Sequence, residues 1–157
     1  MSAVMAESSV AHLRVPPQAI DAEQNVLGAL LLVPTAFARV ADLLTEQDFY
    51  RRDHQLIYRA ICDLNAAGKG ETADWCVVGD WFVAMGLSEQ VANGAYLVEL
   101  SSNTASAANV RAYAEIVRDR SIQRQLIDIG TETVNAGFDP NGRDTSELLA
   151  LAAQRIN

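Results

Sequence analysis

The sequence is poor in basic residues and strongly acidic for its length. Twenty aspartates and glutamates oppose twelve lysines and arginines, which gives the 157-residue chain a formal charge of −8. Lys69 is the single lysine, and the eleven arginines are scattered along the chain. Affinity for a phosphate backbone comes mainly from lysine and arginine side chains that neutralise its charge. The composition therefore disfavours nucleic-acid binding by this chain alone.

Cysteines and long apolar runs are also scarce. Cys62 and Cys76 are too few for a disulfide framework and lack the close spacing of zinc ligands, so we interpret both as reduced core residues. The longest apolar run covers residues 26–33, whereas a membrane-spanning helix needs about 20 residues. Residues 1–13 lack the basic start, apolar stretch and cleavage site of a secretory signal. We therefore expect a cytoplasmic protein without membrane contact and without a bound metal.

Half of the residues are hydrophobic, and most of them recur at helical spacing. The spacing predicts helices over residues 21–32 and 35–44, from residue 54 to the glycines at 68 and 70, from residue 75 to Gly86, and over 94–100. The second of these carries Phe37, Val40, Ala41 and Leu44 on one face, and the fourth carries Trp75, Val78, Phe82 and Met85. No segment has a strong strand pattern, so the predicted fold class is all-α.

The second half of the sequence predicts one long helix. Nothing stronger than Gly130 interrupts the helical pattern from residue 107 to residue 138, whereas helices of globular proteins usually contain about 10–14 residues. Its apolar side chains fall into two opposite stripes. The first stripe contains Tyr113, Ile116, Val117, Ile127 and Val134, and the second contains Ile122, Leu126 and Ile129. Because an apolar stripe must be buried, two stripes require two neighbours or a fully enclosed helix.

A shorter helix after a turn supplies one of these neighbours. Residues 137–142 are rich in turn-forming types, and Asp144 with Glu147 resembles a capping box. The predicted apolar face of this helix contains Leu148, Leu149, Ala152 and Ile156. We therefore predict a flexible tail over residues 1–15, a compact helical head over 16–103 and a long antiparallel helical hairpin over 104–157. The other stripe is left for the head or for another subunit.

No catalytic motif accompanies this architecture. Gly68 and Lys69 do not form a phosphate-binding loop, because Asp63 and Gly70 stand where that motif needs a glycine and a hydroxyl. His54 has no nucleophile or carboxylate at a meaningful spacing, which favours a structural role. Two acidic residues begin the first helix, where carboxylates meet the positive end of the helix dipole: Asp21 and Glu23.

One face of the long helix mixes aliphatic and polar side chains, namely Ile116, Arg120, Gln123 and Ile127, with Arg124 beside them. Protein interfaces favour this mixture, because arginine combines a weakly hydrated head group with an apolar stem. Partial burial with the charged ends extending to water explains it equally well.

An ordered series of short motifs resembles one known family. The series begins with Pro16-Pro17-Gln18 and Ala-Glu-Gln-Asn-Val-Leu-Gly-Ala-Leu-Leu-Leu at residues 22–32. It continues with Asp48-Phe49-Tyr50, Gly94-Ala95-Tyr96-Leu97, Ala107-Ala108-Asn109, Tyr113-Ala114-x-Ile116-Val117 and Leu126-Ile127. In this order the motifs resemble the N-terminal domain of DnaB-type bacterial replicative DNA helicases over residues 16–157. Two departures concern local turn geometry: Thr72-Ala73-Asp74-Trp75-Cys76, and Asn93-Gly94 in place of a Gly-Gly pair.

The resemblance implies a collar rather than a motor. In this family, ATP hydrolysis with Mg²⁺ and 5′–3′ DNA translocation belong to a C-terminal RecA-like domain, which would follow Asn157. The fragment is accordingly expected to bind no cofactor, to have no ATPase activity and to bind DNA weakly or not at all. Its implied role is assembly, as hairpin dimers, a trimer of dimers and a hexamer in the full-length protein, together with docking of a DnaG-type primase. Contact with a helicase loader is left open.

Two sets of residues follow from the resemblance and the apolar pattern. The primase-binding candidates, expected to be exposed, are Asp21, Tyr96, Arg120, Arg124 and Ile127. The subunit-interface candidates are Tyr113, Ile116, Val117, Ile122, Leu126 and Ile129. The alternative hypothesis is a stand-alone or phage-encoded helical adaptor that binds replication proteins, and a motor domain encoded after residue 157 would exclude it.

Overall fold

Helices make up the architecture in a computed structural model, which describes residues 14–157. The predicted tail, residues 1–15, lies outside the described residues except for its last two. The described part contains no strand, in agreement with the all-α prediction. The α-helices are α1 Ile20–Leu32, α2 Arg52–Ala66, α3 Trp75–Ala84, α4 Ala95–Ser102, α5 Val110–Phe138 and α6 Thr145–Ile156. Short 3₁₀ helices lie between them at Pro34–Arg39, Glu46–Asp48, Gly70–Thr72 and Ser88–Gly94.

Helix α1 is the centre of the head and packs against both α4 and α5. Eight of its thirteen residues are buried. Gly28 lets α4 come close, because a Cβ there would lie 2.0 Å from the hydroxyl of Thr104 and 2.5 Å from the carbonyl oxygen of Leu100. Helix α1 therefore has a mostly apolar surface, and the missing side chain at Gly28 makes room for the backbone of α4.

Helices α2 and α3 end at the glycines that the sequence predicted as helix stops. Gly68 after α2 and Gly86 after α3 have φ of +77° and +70°, a left-handed conformation that glycine adopts at little cost. The amide that follows each glycine donates back to the helix, Lys69 to the carbonyl of Leu64 and Leu87 to that of Phe82, both at 2.8 Å. Both stops are confirmed.

The predicted helix over 35–44 is wrong. The segment winds as the 3₁₀ helix Pro34–Arg39, and Val40 then leaves helical geometry with φ −125° and ψ −10°. Tertiary bonds fix this break: Arg39 donates to the carbonyl of Ala107 at 3.0 Å, and Arg111 donates to the carbonyl of Arg39 at 2.8 Å. Ala41, expected in the buried face, is exposed.

The predicted apolar face of α3 is half wrong. Val78 and Phe82 are buried in the core, but Trp75 and Met85 are exposed. Helix α3 lies at the edge of the head, where the core covers only one narrow strip of its surface. Val77 and Trp81 pack partly against the core, and the large apolar side chains left exposed are Trp75, Val83 and Met85.

Helix α5 joins the head to the hairpin. Its buried residues are Val110, Ala114, Val117 and Ser121, whose spacing places them on one face toward the head. From Ile122 onward no side chain of α5 is buried, so its second half lies beyond the head. The two-stripe prediction needs correction here, because Val117 faces the core while Ile116, Ile127 and Val134, assigned to the same stripe, are exposed.

Helix α6 returns along the outer half of α5. Arg155 pairs with Glu132, while Leu148 lies beside Ala136 and Gly137, which makes the two helices antiparallel. Asp144 caps α6 by accepting from the amide of Glu147 at 2.8 Å. The predicted inner face is partly wrong: Leu148 and Ala152 are half-buried, but Leu149 and Ile156 are exposed, and Leu151 takes a place on the inner side.

Candidate interaction surfaces of the head and hairpin

A buried polar network joins three helices of the head. Glu23 of α1 and His54 of α2 are both fully buried. The Oε1 atom of Glu23 lies 2.7 Å from Nδ1 of His54, and Nε2 of the same ring lies 2.6 Å from the hydroxyl of Tyr96 on α4. Buried polar groups are costly unless they are paired, and this arrangement pairs both ring nitrogens. His54 therefore has a structural role, in agreement with the sequence analysis.

Glu23 lies in the first turn of α1, as predicted, but it makes no capping hydrogen bond there. Its carboxylate is buried, and its Oε2 accepts from the amide of Tyr50 at 2.8 Å. The sequence could not reveal this pairing, because Glu23 and His54 are separated by 31 positions with no local signal between them.

Tyr96 lies where this network reaches the surface. Its hydroxyl also accepts from the side chain of Gln24 at 3.2 Å, and burial raises the pKa of Tyr96. The guanidinium carbon of Arg51 lies 5.3 Å from the ring centre. A hydrogen bond to Asp53 raises the pKa of Arg51. Tyr96 was expected to be exposed, but it is half-buried and tied to the core.

A polar groove between α1 and α4 opens beside Tyr96. It is lined by Asp21, Gln24, Asn25, Tyr96, Glu99, Leu100, Asn103 and Thr104. Two of the five primase-binding candidates, Asp21 and Tyr96, therefore lie in one groove. Asp21 is exposed, as expected.

A second polar cluster holds α5 against the head. Asp48 is buried, and its Oδ1 accepts from Arg118 and from the hydroxyl of Ser121, both at 2.7 Å. Its Oδ2 accepts from the amide of Thr45 at 2.7 Å, which closes a capping box at the 3₁₀ helix Glu46–Asp48. The Thr-x-x-Asp spacing was a usable signal for this cap, but nothing in the sequence pointed to Arg118 or Ser121 as partners.

Arg124 belongs to the same junction. It donates to the carbonyl oxygens of Pro17 and Asp48, both at 2.7 Å, and its guanidinium carbon lies 5.5 Å from the ring centre of Tyr50. The expectation that Arg124 is freely exposed is therefore wrong. Arg124 therefore holds the segment before α1, at Pro17, against α5.

An apolar groove lies next to Arg124. Its lining consists of Arg14, Val15, Pro16, Pro17, Tyr50, Arg124, Ile127 and Asp128. This groove contains two further primase-binding candidates, Arg124 and Ile127. Tyr50 links this groove to the buried polar network, since its amide donates to Glu23 and its ring lies under Arg124. Arg120 is half-buried and lines neither groove.

The subunit-interface candidates fall into three groups. Ile116, Ile122 and Leu126 are exposed, with Ile122 at 41% and Leu126 at 58%. Tyr113 and Ile129 are half-buried. Val117 is only 1% exposed, so its assignment to an interface is wrong: it is part of the head core.

The described residues also define what this part of the chain does not contain. Within residues 14–157, no group of three histidines, cysteines, aspartates or glutamates is arranged to hold a metal ion. Over the same residues, none of the helices combines the length and apolar character needed to cross a bilayer.

Comparisons with known proteins point to one family. A model of the DnaB-like helicase N terminal domain matches residues 15–119. The chain is 37% identical over 150 residues to the replicative DNA helicase DnaB of Buchnera aphidicola, covering 96% of this chain and 32% of that protein. It is 40% identical over 144 residues to the Mycobacterium leprae protein of the same name, covering 91% of this chain and 24% of that one.

Structural similarity agrees with the sequence matches. The crystal structure of the N-terminal domain of DnaB helicase from Mycobacterium tuberculosis superposes with a TM-score of 0.84 at 39% identity, covering 90% of this chain and 98% of that one. The chain spans no more than about a third of the length of the curated relatives it matches. On the family match and these similarities, the chain belongs to the DnaB-like helicase N-terminal domain family.

Proposed function

We propose that this chain is the assembly collar of a bacterial replicative DNA helicase, located in the cytoplasm. It joins helicase subunits through its hairpin and docks a DnaG-type primase on its surface grooves. Relatives that carry the name replicative DNA helicase are about three to four times longer than the matched segment. ATP and Mg²⁺ binding and strand separation are therefore assigned to a motor domain outside these residues.

The observation that carries the proposal is the apolar surface of the hairpin. Ile122 and Leu126 are exposed on one side of α5, and Leu149 and Ile156 are exposed along α6. Monomeric proteins rarely expose large contiguous apolar patches, and such patches mark interaction sites. A second hairpin, which presents the same residues by symmetry, is the simplest cover for this surface.

A charge in this surface tests subunit pairing. Leu126→Asp would place a carboxylate in the apolar contact without disturbing the head, because Leu126 projects beyond it. We expect the wild-type chain to form species heavier than its 17.0 kDa monomer as concentration rises, and the variant to remain lighter. Size-exclusion chromatography with light scattering over a concentration series measures this.

The matched control is Asn135→Asp, which adds the same charge at an exposed polar position of the same helix, on the side opposite Leu126. It should assemble like the wild type. Identical mass distributions for the wild type and Leu126→Asp, with unchanged circular dichroism, would contradict hairpin pairing.

Primase docking is best tested at candidates that the fold does not otherwise use. Asp21 and Ile127 are exposed at the edges of the two grooves. We expect Asp21→Ala and Ile127→Ser each to weaken binding of a DnaG-type primase about 5- to 10-fold in calorimetric titration, with assembly preserved. Unchanged affinity in both variants would remove the grooves from the primase site. Tyr96 and Arg124 are poorer targets, because their substitution also breaks bonds within the head.

A further inference from the structure

Helix α3 is unusual for a surface helix. Of its ten residues, Asp80 is the single charged one, and yet only Val78 and Phe82 are buried. A helix that is apolar on all sides is normally enclosed by protein. The outward face of α3 is left without a partner in the described chain.

The exposed face of α3 forms one wall of a groove with α4. Trp75 is 44% exposed and Val83 is 68% exposed on α3, and Val98 is 40% exposed on α4. Gly79 lines the groove, and a Cβ at this position would meet only Leu97, at 3.8 Å. Phe82 lies in the lining between the walls.

One end of the groove has a fixed and uncommon backbone. Ala92, Asn93 and Gly94 have φ of +52°, +55° and +95° in succession, and the last two line the groove. Left-handed residues other than glycine are sparsely populated and persist where the surrounding structure holds them.

The segment that carries the groove is entirely acidic in its charged residues. Between Lys69 and Arg111 the sequence contains no lysine or arginine. The five charged side chains in this interval are Glu71, Asp74, Asp80, Glu89 and Glu99. Asp80 lines the groove and is exposed, whereas Glu99, the sequence neighbour of Val98, lines the polar groove between α1 and α4.

We propose that the α3–α4 groove docks a basic amphipathic helix of another protein. The apolar face of such a helix would cover Trp75, Val83 and Val98, and its lysines or arginines would meet Asp80 and the acidic segment around the groove. A second copy of this chain fits poorly, because its own acidic α3–α4 segment would face an identical one. Helix α3, at ten residues, is about 15 Å long, which suits a partner segment of two to three turns.

A designed peptide tests the chemistry of the groove. The probe is an 18-residue fluorescein-labelled amphipathic helix built from leucine and lysine, and the control peptide carries glutamate at each lysine position. We expect the lysine peptide to bind in fluorescence anisotropy, with affinity falling as salt rises, and the glutamate peptide not to bind. Amide resonances of the ¹⁵N-labelled chain should shift at Trp75, Val83 and Val98.

Substitutions distinguish peptide binding in the groove from nonspecific attraction of a basic peptide to the acidic chain. Val83→Ser combined with Val98→Ser should weaken lysine-peptide binding at least fivefold, and Asp80→Asn at least twofold. The matched control is Val134→Ser, at a valine of similar exposure on the hairpin, which should bind the peptide like the wild type. Because the substituted positions are exposed, thermal melts of all variants should stay close to the wild type.

Four results would overturn the proposal. Equal binding of both peptides, or resonance shifts located outside the groove, would show that the groove has no such specificity. Unchanged affinity in the Val83/Val98 double variant would have the same meaning. A lower assembly mass of that variant without peptide, seen by light scattering, would assign the groove to a second copy of the chain instead.

Discussion

At the scale of single residues, the buried side chains that make hydrogen bonds distinguish this head from a purely apolar core. Glu23 receives two partners from different parts of the chain, the ring of His54 and the amide of Tyr50. The other ring nitrogen of His54 is paired with the hydroxyl of Tyr96. Each of these groups would be costly to bury alone. The network therefore specifies how α1, α2 and α4 meet.

Removal of the Glu23 carboxylate tests this role. Glu23→Ala leaves Nδ1 of His54 and the amide of Tyr50 without their partner in a buried site, so we expect a loss of about 3 kcal/mol in the free energy of unfolding. Urea denaturation followed by circular dichroism measures the loss. Asp21→Ala, at an exposed position of the same first turn, serves as the control and should change stability little. Equal midpoints for the two variants would exclude a structural role for the network.

At the scale of the elements, close backbone approach decides the position of α4. The Cβ that any other residue would add at Gly28 overlaps the carbonyl oxygen of Leu100, a backbone atom that cannot rotate away. Helix α3 shows the opposite condition. Its glycine at position 79 has room for a methyl group in ordinary contact with Leu97. The close packing of α1 and α4 therefore requires glycine at position 28, whereas the packing around position 79 leaves room for a side chain.

The two glycines give predictions of opposite sign. Gly28→Ala should destabilise the chain by about 1–3 kcal/mol, because α1 and α4 must separate. Gly79→Ala should stabilise it by about 0.5–1 kcal/mol, because alanine loses less conformational freedom than glycine in a helix. Thermal and urea unfolding of the two variants, compared with the wild type, measure both effects. Stabilisation by Gly28→Ala would contradict the close approach of α1 and α4.

At the scale of the whole molecule, a single buried aspartate couples the head to the hairpin. The carboxylate of Asp48 accepts hydrogen bonds from Arg118 and Ser121 of α5, and its backbone carbonyl oxygen accepts one from Arg124. These contacts lie at the end of the buried stretch of α5, just before the helix extends beyond the head. They fix the direction in which the hairpin projects. An assembly built through the hairpin would depend on that direction.

Loss of this coupling is measurable. Asp48→Ala leaves the amide of Thr45 and the guanidinium of Arg118 without their acceptor, and we expect a destabilisation of about 3 kcal/mol. Hydrogen exchange should accelerate in residues 118–124 more than in α2. Asp42→Ala is the matched control, because Asp42 also pairs with an α5 arginine, Arg111 at 2.8 Å, but at an exposed site. Its removal should leave stability nearly unchanged, since solvent screens such pairs. If exchange in residues 118–124 is the same in both variants, Asp48 does not hold the junction.

Sequence periodicity predicted elements well where local signals act. The long helix, the glycine stops after α2 and α3 and the Asp144 cap all depend on neighbouring residues, and all are present. Periodicity failed over 35–44, where contacts of Arg39 with residues far along the chain break the helix. It also failed for Val117 and Leu149, because an apolar side chain in a helical pattern does not say which neighbour covers it.

The sequence by itself determined the all-α class, the helix ends and, through an ordered set of motifs, the family, since these follow from local conformational preference and from residue order. Only the tertiary structure decided which apolar faces are covered, which of the candidate residues are free, and that Glu23 pairs with His54 and Asp48 with Arg118. These pairings join positions 31 and 70 residues apart. No local preference encodes such distances, because they are fixed only when the helices pack.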